Sequence, residues 1–346
     1  MRGHMRLSGL SATVCVLGVV ALTAVLAACG GSSNPASNAP SAAPSVTPSE
    51  SATPLPTPTV AGTIVFARML NSANGFNSDI YVVNTDGTGL KRLTHDAVWQ
   101  ERPSWSPDGS KILFSVWTRQ SPRSATIWVM NADGTGKTKL TSGALRGVLP
   151  NWSPDGRQIA FWKEGPDYGE EDVYVMSADG SAVEPVAGGI SVWEENQGGS
   201  ENGGGLGWTP DGKILIMKTT QQYADVFAVN RDGSGRTQLT KDAQLGTFSL
   251  SPDGTRIALD DHASRLYVAP VQGGGKTVTL MDSTYDFMDD LWAGPTWSPD
   301  GKALAIATNS INLPIGSPLY VINADGSGLS MVPGVTRAFD AAWRPE

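Results

Sequence analysis

A short motif that recurs along the chain constrains its fold more than any other feature of the sequence. The motif ends in Pro-Asp-Gly, and its five copies are Trp105–Gly109, Trp152–Gly156, Trp208–Gly212, Leu250–Gly254 and Trp297–Gly301. A sixth, degenerate copy is Trp343–Glu346. The first residues of successive copies are 47, 56, 42, 47 and 46 residues apart. A repeat of about 45 residues is typical of β-propellers, in which each repeat forms one four-stranded blade.

A second motif keeps the same spacing and combines an apolar run with a turn. Its copies are residues 80–89, 127–136, 173–182, 226–235, 266–275 and 319–328. The apolar part is rich in Val, Ile and aromatic residues, which predicts a strand. The Asn-x-Asp-Gly part predicts a hairpin turn, as does Ser-Pro-Asp-Gly, where proline fixes φ, aspartate bonds the backbone and glycine accepts positive φ. A third motif, Leu-Thr, occurs at Leu93-Thr94, Leu140-Thr141 and Leu239-Thr240.

These motifs together predict an all-β fold of six blades. A strand-like segment follows each Pro-Asp-Gly turn, at residues 111–116, 158–162, 213–217, 256–259 and 303–307. No segment shows a helical period with caps. The first repeat begins at Gly62 without an inner strand, and Arg337–Trp343 has no strand after it, so the C-terminal strand is expected to complete the first blade. Closure of this kind leaves no unpaired sheet edge. The sequence therefore predicts a six-bladed propeller over residues 62–346.

The first 28 residues have the pattern of an export signal. Arg2 and Arg6 precede an apolar run from Val14 to Leu26, which is too short to span a membrane comfortably. The run ends in Leu26-Ala27-Ala28-Cys29, which resembles the bacterial lipobox. The resemblance implies removal of residues 1–28 and lipidation of Cys29, and hence an extracytoplasmic lipoprotein anchored in the membrane. An ordinary signal peptide that ends near a cysteine is the alternative.

Residues 29–61 are expected to form a disordered tether, because Ser, Pro, Ala and Thr dominate the segment and offer little apolar surface to bury. Its prolines favour an extended, semi-rigid chain. The formal net charge of −8 argues against a nucleic-acid partner and against an anionic lipid surface. The membrane is therefore expected to be contacted through the lipid anchor alone, and the propeller is expected to be monomeric.

The Ser-Pro-Asp-Gly and Ile-Tyr-Val-Met-Asn-Ala-Asp-Gly type motifs resemble those of TolB-type propellers, a WD-repeat-like family. The resemblance covers residues 62–346. It implies that the two tight turns of each blade share one face of the ring and that the variable connections lie on the other. TolB carries an α/β domain ahead of its propeller, where this chain has the predicted tether. The resemblance thus implies an envelope binding or interaction role more firmly than a particular partner.

The variable connections hold many acidic and aromatic residues, and these are the candidates for ligand binding. They are Trp99, Glu101, Trp162, Glu164, Asp167, Tyr168, Trp193, Glu194, Glu195, Asp261, His262, Tyr285, Asp286, Asp289 and Trp292. Aromatic rings can stack on sugars or bind cations, and carboxylates supply charge or bonds to hydroxyl groups. A cationic, sugar or peptide ligand is therefore expected, although charged loops are also common simply for solubility. The recurring tryptophans of the first motif are instead expected to pack between blades.

Neither a metal nor a cofactor is predicted. Asn84-x-Asp86-Gly87 and Asn131-x-Asp133-Gly134 look faintly like calcium loops but lack the later carboxylates, so turns are expected there. Calcium binding between the acidic loops is an alternative that the sequence leaves open. Only His95 and His262 follow the signal, which is too few for a three-histidine metal site.

The sequence is consistent with three functions from different classes. The first is a binding scaffold for an extracytoplasmic protein, peptide or glycan. The second is a carbohydrate-active hydrolase or lyase that uses carboxylates of the loop face, for which Asp260 and Asp261 are one possible pair. The third is a structural envelope component analogous to TolB. No catalytic residue is assigned, because no Gly-x-Ser-x-Gly elbow or phosphate-binding glycine loop is present in the sequence.

Overall fold

The computed structural model describes residues 56–70, 77–118, 124–142, 145, 147–164, 171–186, 205–219, 224–241, 247–260, 265–271, 277–282, 294–307 and 317–346. Residues 53–346 form one compact unit, and the other unit, residues 1–52, lies outside the described residues. The predicted signal peptide, Cys29 and the predicted tether up to residue 55 therefore also lie outside them. The described residues form strands, turns and bends. None of them belongs to a helix long and apolar enough to span a membrane.

Twenty-four strands make up the described secondary structure. They are β1 (Thr63–Leu70), β2 (Asn77–Asn84), β3 (Lys91–Arg92), β4 (Trp99–Trp105), β5 (Lys111–Thr118), β6 (Ser124–Asn131), β7 (Thr138–Lys139), β8 (Gly147–Trp152), β9 (Gln158–Glu164), β10 (Glu171–Ser177), β11 (Glu184–Pro185), β12 (Leu206–Trp208), β13 (Ile214–Thr219), β14 (Ala224–Val229), β15 (Thr237–Gln238), β16 (Thr247–Leu250), β17 (Arg256–Asp260), β18 (Leu266–Pro270), β19 (Val278–Met281), β20 (Thr296–Trp297), β21 (Ala303–Ala307), β22 (Leu319–Asn323), β23 (Ser330–Met331) and β24 (Ala338–Trp343).

The strands form six four-stranded antiparallel sheets, which confirms the predicted six-bladed propeller. Blade 1 has the order β24-β1-β2-β3, and blades 2 to 6 contain β4–β7, β8–β11, β12–β15, β16–β19 and β20–β23. The C-terminal strand β24 pairs with β1, with Ile64 opposite Trp343 and Arg68 opposite Ala338. The predicted closure of the ring by the C-terminal segment is therefore confirmed.

The antiparallel order also defines two faces. In blades 2, 3, 4 and 6 tight turns join the first strand to the second and the third to the fourth, and both turns lie at the same end of the sheet. In blade 1 the first strand is the C-terminal β24, so a tight turn joins only the third strand to the fourth. We call this end the turn face. The connections between the second and third strands, and between blades, lie at the opposite end, which we call the loop face. Along the inner strand of blade 2, Trp99 therefore lies at the loop face and Trp105 at the turn face.

The Ser-Pro-Asp-Gly turns have the hydrogen bonds that the motif predicts. In blade 2 the Gly109 N–H donates to the Ser106 carbonyl at 2.8 Å, with Gly109 at a φ of 64°. The Ser106 hydroxyl donates to Asp108 Oδ1 at 2.6 Å and accepts the Lys111 N–H at 2.9 Å. Proline and glycine set the backbone, and serine and aspartate bond its polar groups, so the turn is specified locally.

The Leu-Thr motif has a structural role that the sequence did not reveal. Thr94 Oγ1 accepts the Ile80 N–H at 2.9 Å, lies 3.0 Å from Asp79 Oδ1 and donates to Gln100 Oε1 at 2.5 Å. Arg92 pairs with the other Asp79 oxygen. Burial raises the pKa of the Asp79 carboxyl, although Thr94 and Arg92 oppose that change. This threonine thus bonds the third strand of blade 1 to the segment that enters blade 2.

The same threonine position recurs in two other blades. Thr141 Oγ1 accepts the Ile127 N–H, and Thr240 Oγ1 accepts the Val226 N–H, both at 2.9 Å. Thr240 also bonds Asp225 Oδ1 at 3.0 Å. In blades 1, 2 and 4 the threonine of this motif therefore bonds the end of the blade to its third strand.

The recurring tryptophans pack between neighbouring blades, as expected. Trp105, Trp152, Trp297 and Trp343 are each 6 % exposed and lie in apolar clusters with the preceding blade or, for Trp343, with blade 6. Trp208 is half-buried in the cluster between blades 3 and 4. The seams between blades are thus the apolar core of the ring, which fits the large area that an aromatic ring buries.

Residues 56–62 approach blades 1 and 6 along the outside of the ring. Pro58 is buried, Val60 packs against the cluster between these blades, and the Met331 N–H donates to the Pro56 carbonyl at 3.2 Å. Disorder was expected up to residue 61. The described end of the segment instead lies against the propeller, because Pro58 and Val60 bury apolar surface there.

Candidate functional site

The inner strands surround a central channel with a cavity of about 320 Å³. One residue of each blade, three positions before the recurring tryptophan or its Leu250 equivalent, lines this cavity. These residues are Asp340, Arg102, Leu149, Gly205, Thr247 and Gly294 in blades 1 to 6. At this position blades 1 to 3 have large side chains, whereas blades 4 to 6 have a small side chain or none. The side chains at this position are therefore larger in one half of the channel than in the other.

Irregular backbone accompanies the three large side chains. Asp340, Arg102 and Leu149 have φ values of 49°, 54° and 53°, in the left-handed region that non-glycine residues seldom adopt. The strand register shifts beside each of them, so each inner strand carries a β-bulge. Bulges change the direction of side chains and are common beside functional sites. A functional site is therefore expected in this half of the channel.

Arg102 and Asp340 contact each other across the seam between blades 1 and 2. Arg102 Nε lies 3.3 Å from Asp340 Oδ1, and the Arg102 backbone N–H donates to Asp340 Oδ2 at 3.1 Å. Both side chains are largely buried, with 27 % and 9 % of their surfaces exposed. A charge pair that is withdrawn from water in this way keeps its geometry better than an exposed one.

Glu101 lies next to this pair and holds two indoles at the loop face. The Trp99 Nε1–H donates to Glu101 Oε2 and the Trp117 Nε1–H to Glu101 Oε1, both at 2.6 Å. Burial and the negative charge of Asp340 raise the pKa of the Glu101 carboxyl, whereas Arg102 and the two indoles act against that rise. One carboxylate therefore fixes the orientation of two aromatic rings.

A further ring extends this arrangement into blade 1. Trp99 stacks on Phe339 with ring centroids 5.2 Å apart and an angle of 25° between the planes. Trp99 and Trp117 are both half-buried, so part of each indole stays accessible. We call Trp99, Glu101, Trp117 and Phe339 the aromatic platform. Rings held by packing and hydrogen bonds lose little entropy when they bind a ligand.

The sequence-predicted site residues differ in where they lie in the structure. Trp99 and Glu101 were expected in a loop but lie in β4, because the bulged strand begins earlier than its apolar residues suggest. Trp162, expected where a strand ends and a variable connection begins, lies within β9 and is completely buried between blades 3 and 4. Glu164 is the last residue of β9, and its side chain is outside the described part. The remaining candidates lie outside the described residues: Asp167, Tyr168, Trp193, Glu194, Glu195, Asp261, His262, Tyr285, Asp286, Asp289 and Trp292.

Sequence reasoning missed four residues of this region: Trp117, Phe339, Arg102 and Asp340. An alignment of the repeats on the recurring tryptophan would have placed Arg102 and Asp340 at equivalent positions. Trp117 is an aromatic residue directly after the predicted strand 111–116, and the strand register pairs it with Trp99. Among the described residues, no group of three or more His, Cys, Asp or Glu side chains is placed to hold a metal ion.

Comparisons with known proteins agree on the fold. A family described as "TolB beta propeller domain" matches residues 115–292. The structure of TolB from Acinetobacter baumannii is similar with a TM-score of 0.65 at 20 % identity, over 82 % of this chain and 67 % of that one. A putative TolB from Agrobacterium tumefaciens gives 0.57 at 17 % identity, over 81 % and 91 %. A chain of a nidogen/laminin complex gives 0.58 at 13 % identity, over 82 % and 98 %. No curated protein matches the chain.

Proposed function

Because the chain belongs to the TolB β-propeller family, we propose that it is an extracytoplasmic binding scaffold whose loop face recognises a protein, peptide or glycan. In this proposal Cys29 carries a lipid that anchors the chain to the cell envelope. The structures of TolB and of a chain of the nidogen/laminin complex share the propeller fold with this chain, and the nidogen/laminin structure is a complex of two proteins. Fold alone does not define a ligand, so the proposal depends on the site.

The aromatic platform is the observation that carries the proposal. Glu101 accepts an indole N–H on each of its oxygens, so the faces of Trp99 and Trp117 are oriented before any ligand arrives. An aromatic ring beside a carboxylate suits a ligand with an apolar face and hydrogen-bonding or cationic groups. Sugars and basic peptides both have these features.

The test is binding to defined probes by variants of the platform. Arrays of glycans, peptidoglycan fragments and basic peptides would first identify a ligand for the full chain. Trp99→Ala and Trp117→Ala are then expected to weaken that binding about tenfold or more, since central aromatic contacts dominate binding energy. Trp128→Ala is the matched control, because Trp128 is another half-buried tryptophan of blade 2, bonded to Thr126 and away from the platform.

The outcomes separate the three functional classes. Binding that all three variants retain would overturn the platform as the site. Release of product from a bound glycan would favour the hydrolase or lyase, and binding to none of the arrayed probes would favour a structural envelope component analogous to TolB.

A further inference from the structure

A second cavity, of about 420 Å³, opens at the turn face between blades 2 and 3. Its wall contains three carboxylates, Asp108, Asp155 and Asp179, and one cation, Lys111. Trp152 and Gly156 also line it. Trp152 is 6 % exposed, and its buried indole N–H has no acceptor among the described residues. The cavity and the aromatic platform lie at opposite ends of the strands. The inference below is therefore independent of the function proposed above.

Two of the five other seams of the same ring show a group that such a cavity accepts. Between blades 5 and 6, the Arg256 guanidinium stacks over Trp297 at 4.7 Å from the ring centroid. The same guanidinium donates to the Gly301 carbonyl at 2.6 Å. Trp297 and Gly301 are the equivalents of Trp152 and Gly156, and the two glycines have φ values of 68° and 69°. The indole and the carbonyl are therefore presented in the same way at both seams.

A third seam reaches the same arrangement from a different sequence position. Between blades 1 and 2 the guanidinium of Arg344 lies over Trp105, 5.2 Å from the ring centroid. Its Nε is 3.0 Å from the point that a Cβ of Gly109 would occupy. Arg344 directly follows its strand, whereas Arg256 follows a Pro-Asp-Gly turn. Two unrelated positions thus supply a guanidinium to equivalent pockets, which indicates that the pocket shape selects that group.

The seam between blades 2 and 3 lacks this arginine. Lys111 occupies the position of Arg256, as the first residue after Ser-Pro-Asp-Gly-Ser, and its side chain is exposed. Nothing but Pro107 lies within 4 Å of a Cβ built on Gly156. An ammonium group has neither the planar shape nor the number of donors that let a guanidinium stack and bond a carbonyl together. The cavity therefore lacks the guanidinium that occupies the equivalent place at two other seams.

We infer that this cavity binds an arginine side chain of a partner protein, stacked on Trp152 and bonded to the Gly156 carbonyl. The three aspartates outnumber Lys111, so the wall has a net negative charge that complements the guanidinium. Hydrogen bonds within their turns hold the pKa of Asp108 at about 2 and keep those of Asp155 and Asp179 below the usual value. The aspartates therefore stay ionised at physiological pH.

The test follows the tryptophans of the full chain by ¹⁹F NMR after labelling with 5-fluorotryptophan. Trp152→Phe assigns the resonance of Trp152 among the eleven tryptophans. N-acetylarginine amide is expected to shift that resonance, and the neutral isostere N-acetylcitrulline amide is expected to leave it unchanged. No shift with the arginine amide, or equal shifts with both compounds, would overturn the inference.

Lys111→Arg provides a second variant that should fold, because Arg256 has the same place in blade 5. Its guanidinium is expected to fill the cavity and to weaken binding of the arginine amide about tenfold, which lies within the range of free energies of one cation–π contact. Lys302→Arg is the matched control, in a turn of blade 6, and should bind like the unchanged protein. Unchanged binding by Lys111→Arg would contradict the inference.

A final comparison identifies the source of the guanidinium. A glycine-serine peptide with one central arginine should bind more tightly than the arginine amide if the natural ligand belongs to a protein chain. Equal affinities would overturn the assignment to a partner protein.

Discussion

Arg102 and Asp340 join the inner strand of blade 2 to the C-terminal strand that closes the ring, through an ion pair and a bond to the Arg102 backbone N–H. The two residues are 238 positions apart in sequence. Each has a left-handed backbone conformation. The closing strand is thus held by side-chain contacts across a seam as well as by its ladder with β1. This contact places a local backbone distortion directly beside the aromatic platform.

Asp340→Ala is expected to lower the free energy of unfolding by about 1–3 kcal/mol, because it leaves a largely buried guanidinium without its partner. Asp340→Asn should cost less, since asparagine tolerates the left-handed conformation and can still accept the Arg102 N–H. Urea denaturation measures both changes. Glu184→Ala is the control, because Glu184 pairs with Arg231 at an exposed site and its loss should cost less than about 1 kcal/mol. Equal costs at the two sites would contradict the proposed role of the closing ion pair.

The Leu-Thr motif offers a comparison between blades. Thr94→Val removes the bond to the Ile80 N–H and also the contacts with Asp79 and Gln100, so a loss of about 2–4 kcal/mol is expected. Thr141→Val removes the bond to the Ile127 N–H and should cost about 1–2 kcal/mol. Thermal unfolding of both variants should therefore rank Thr94 above Thr141, and the reverse order would show that the buried network of Asp79 adds nothing to stability.

The features that the sequence predicted well are local ones. Pro-Asp-Gly turns and the apolar strands between them are specified within a few residues, so six blades and the closure by β24 follow from counting repeats. The sequence predicts that the strand ends at Trp162, at the start of a variable connection, whereas β9 continues to Glu164 and the indole is buried. The platform and the Arg102–Asp340 pair depend on bulges that shift the register, and such shifts are set by packing of the whole ring.

Lipidation of Cys29 is a prediction of the lipobox resemblance. When the full chain is expressed in a bacterium supplied with an alkynyl fatty acid, the processed protein that begins at Cys29 should carry the label and remain with the membrane fraction. Cys29→Ser removes the thiol, so the label should disappear. Cys15→Ser is the matched control, because Cys15 lies within the segment that the prediction removes. Label that survives in Cys29→Ser would contradict the prediction.

Acid should destabilise the propeller through its turns. The pKa values of ten turn aspartates are lowered, chiefly by hydrogen bonds from neighbouring hydroxyl and backbone groups, and those of Asp108 and Asp253 lie at about 2. A folded pKa below the unfolded value contributes stability that is present above about pH 4 and is lost as the pH falls towards the folded pKa. Asp79 and Glu101 have raised pKa values and act in the opposite direction, but they are two groups against ten.

The expected result is a melting temperature that falls steadily between about pH 4 and pH 2. In Asp108→Asn combined with Asp253→Asn, the amide oxygen can still accept the turn hydrogen bonds but the side chain cannot ionise. This variant should therefore lose less stability over that range than the unchanged protein, with the two proteins compared at constant ionic strength. A flat profile from pH 4 to pH 2, or identical slopes for the two proteins, would show that the turn carboxylates do not control acid stability.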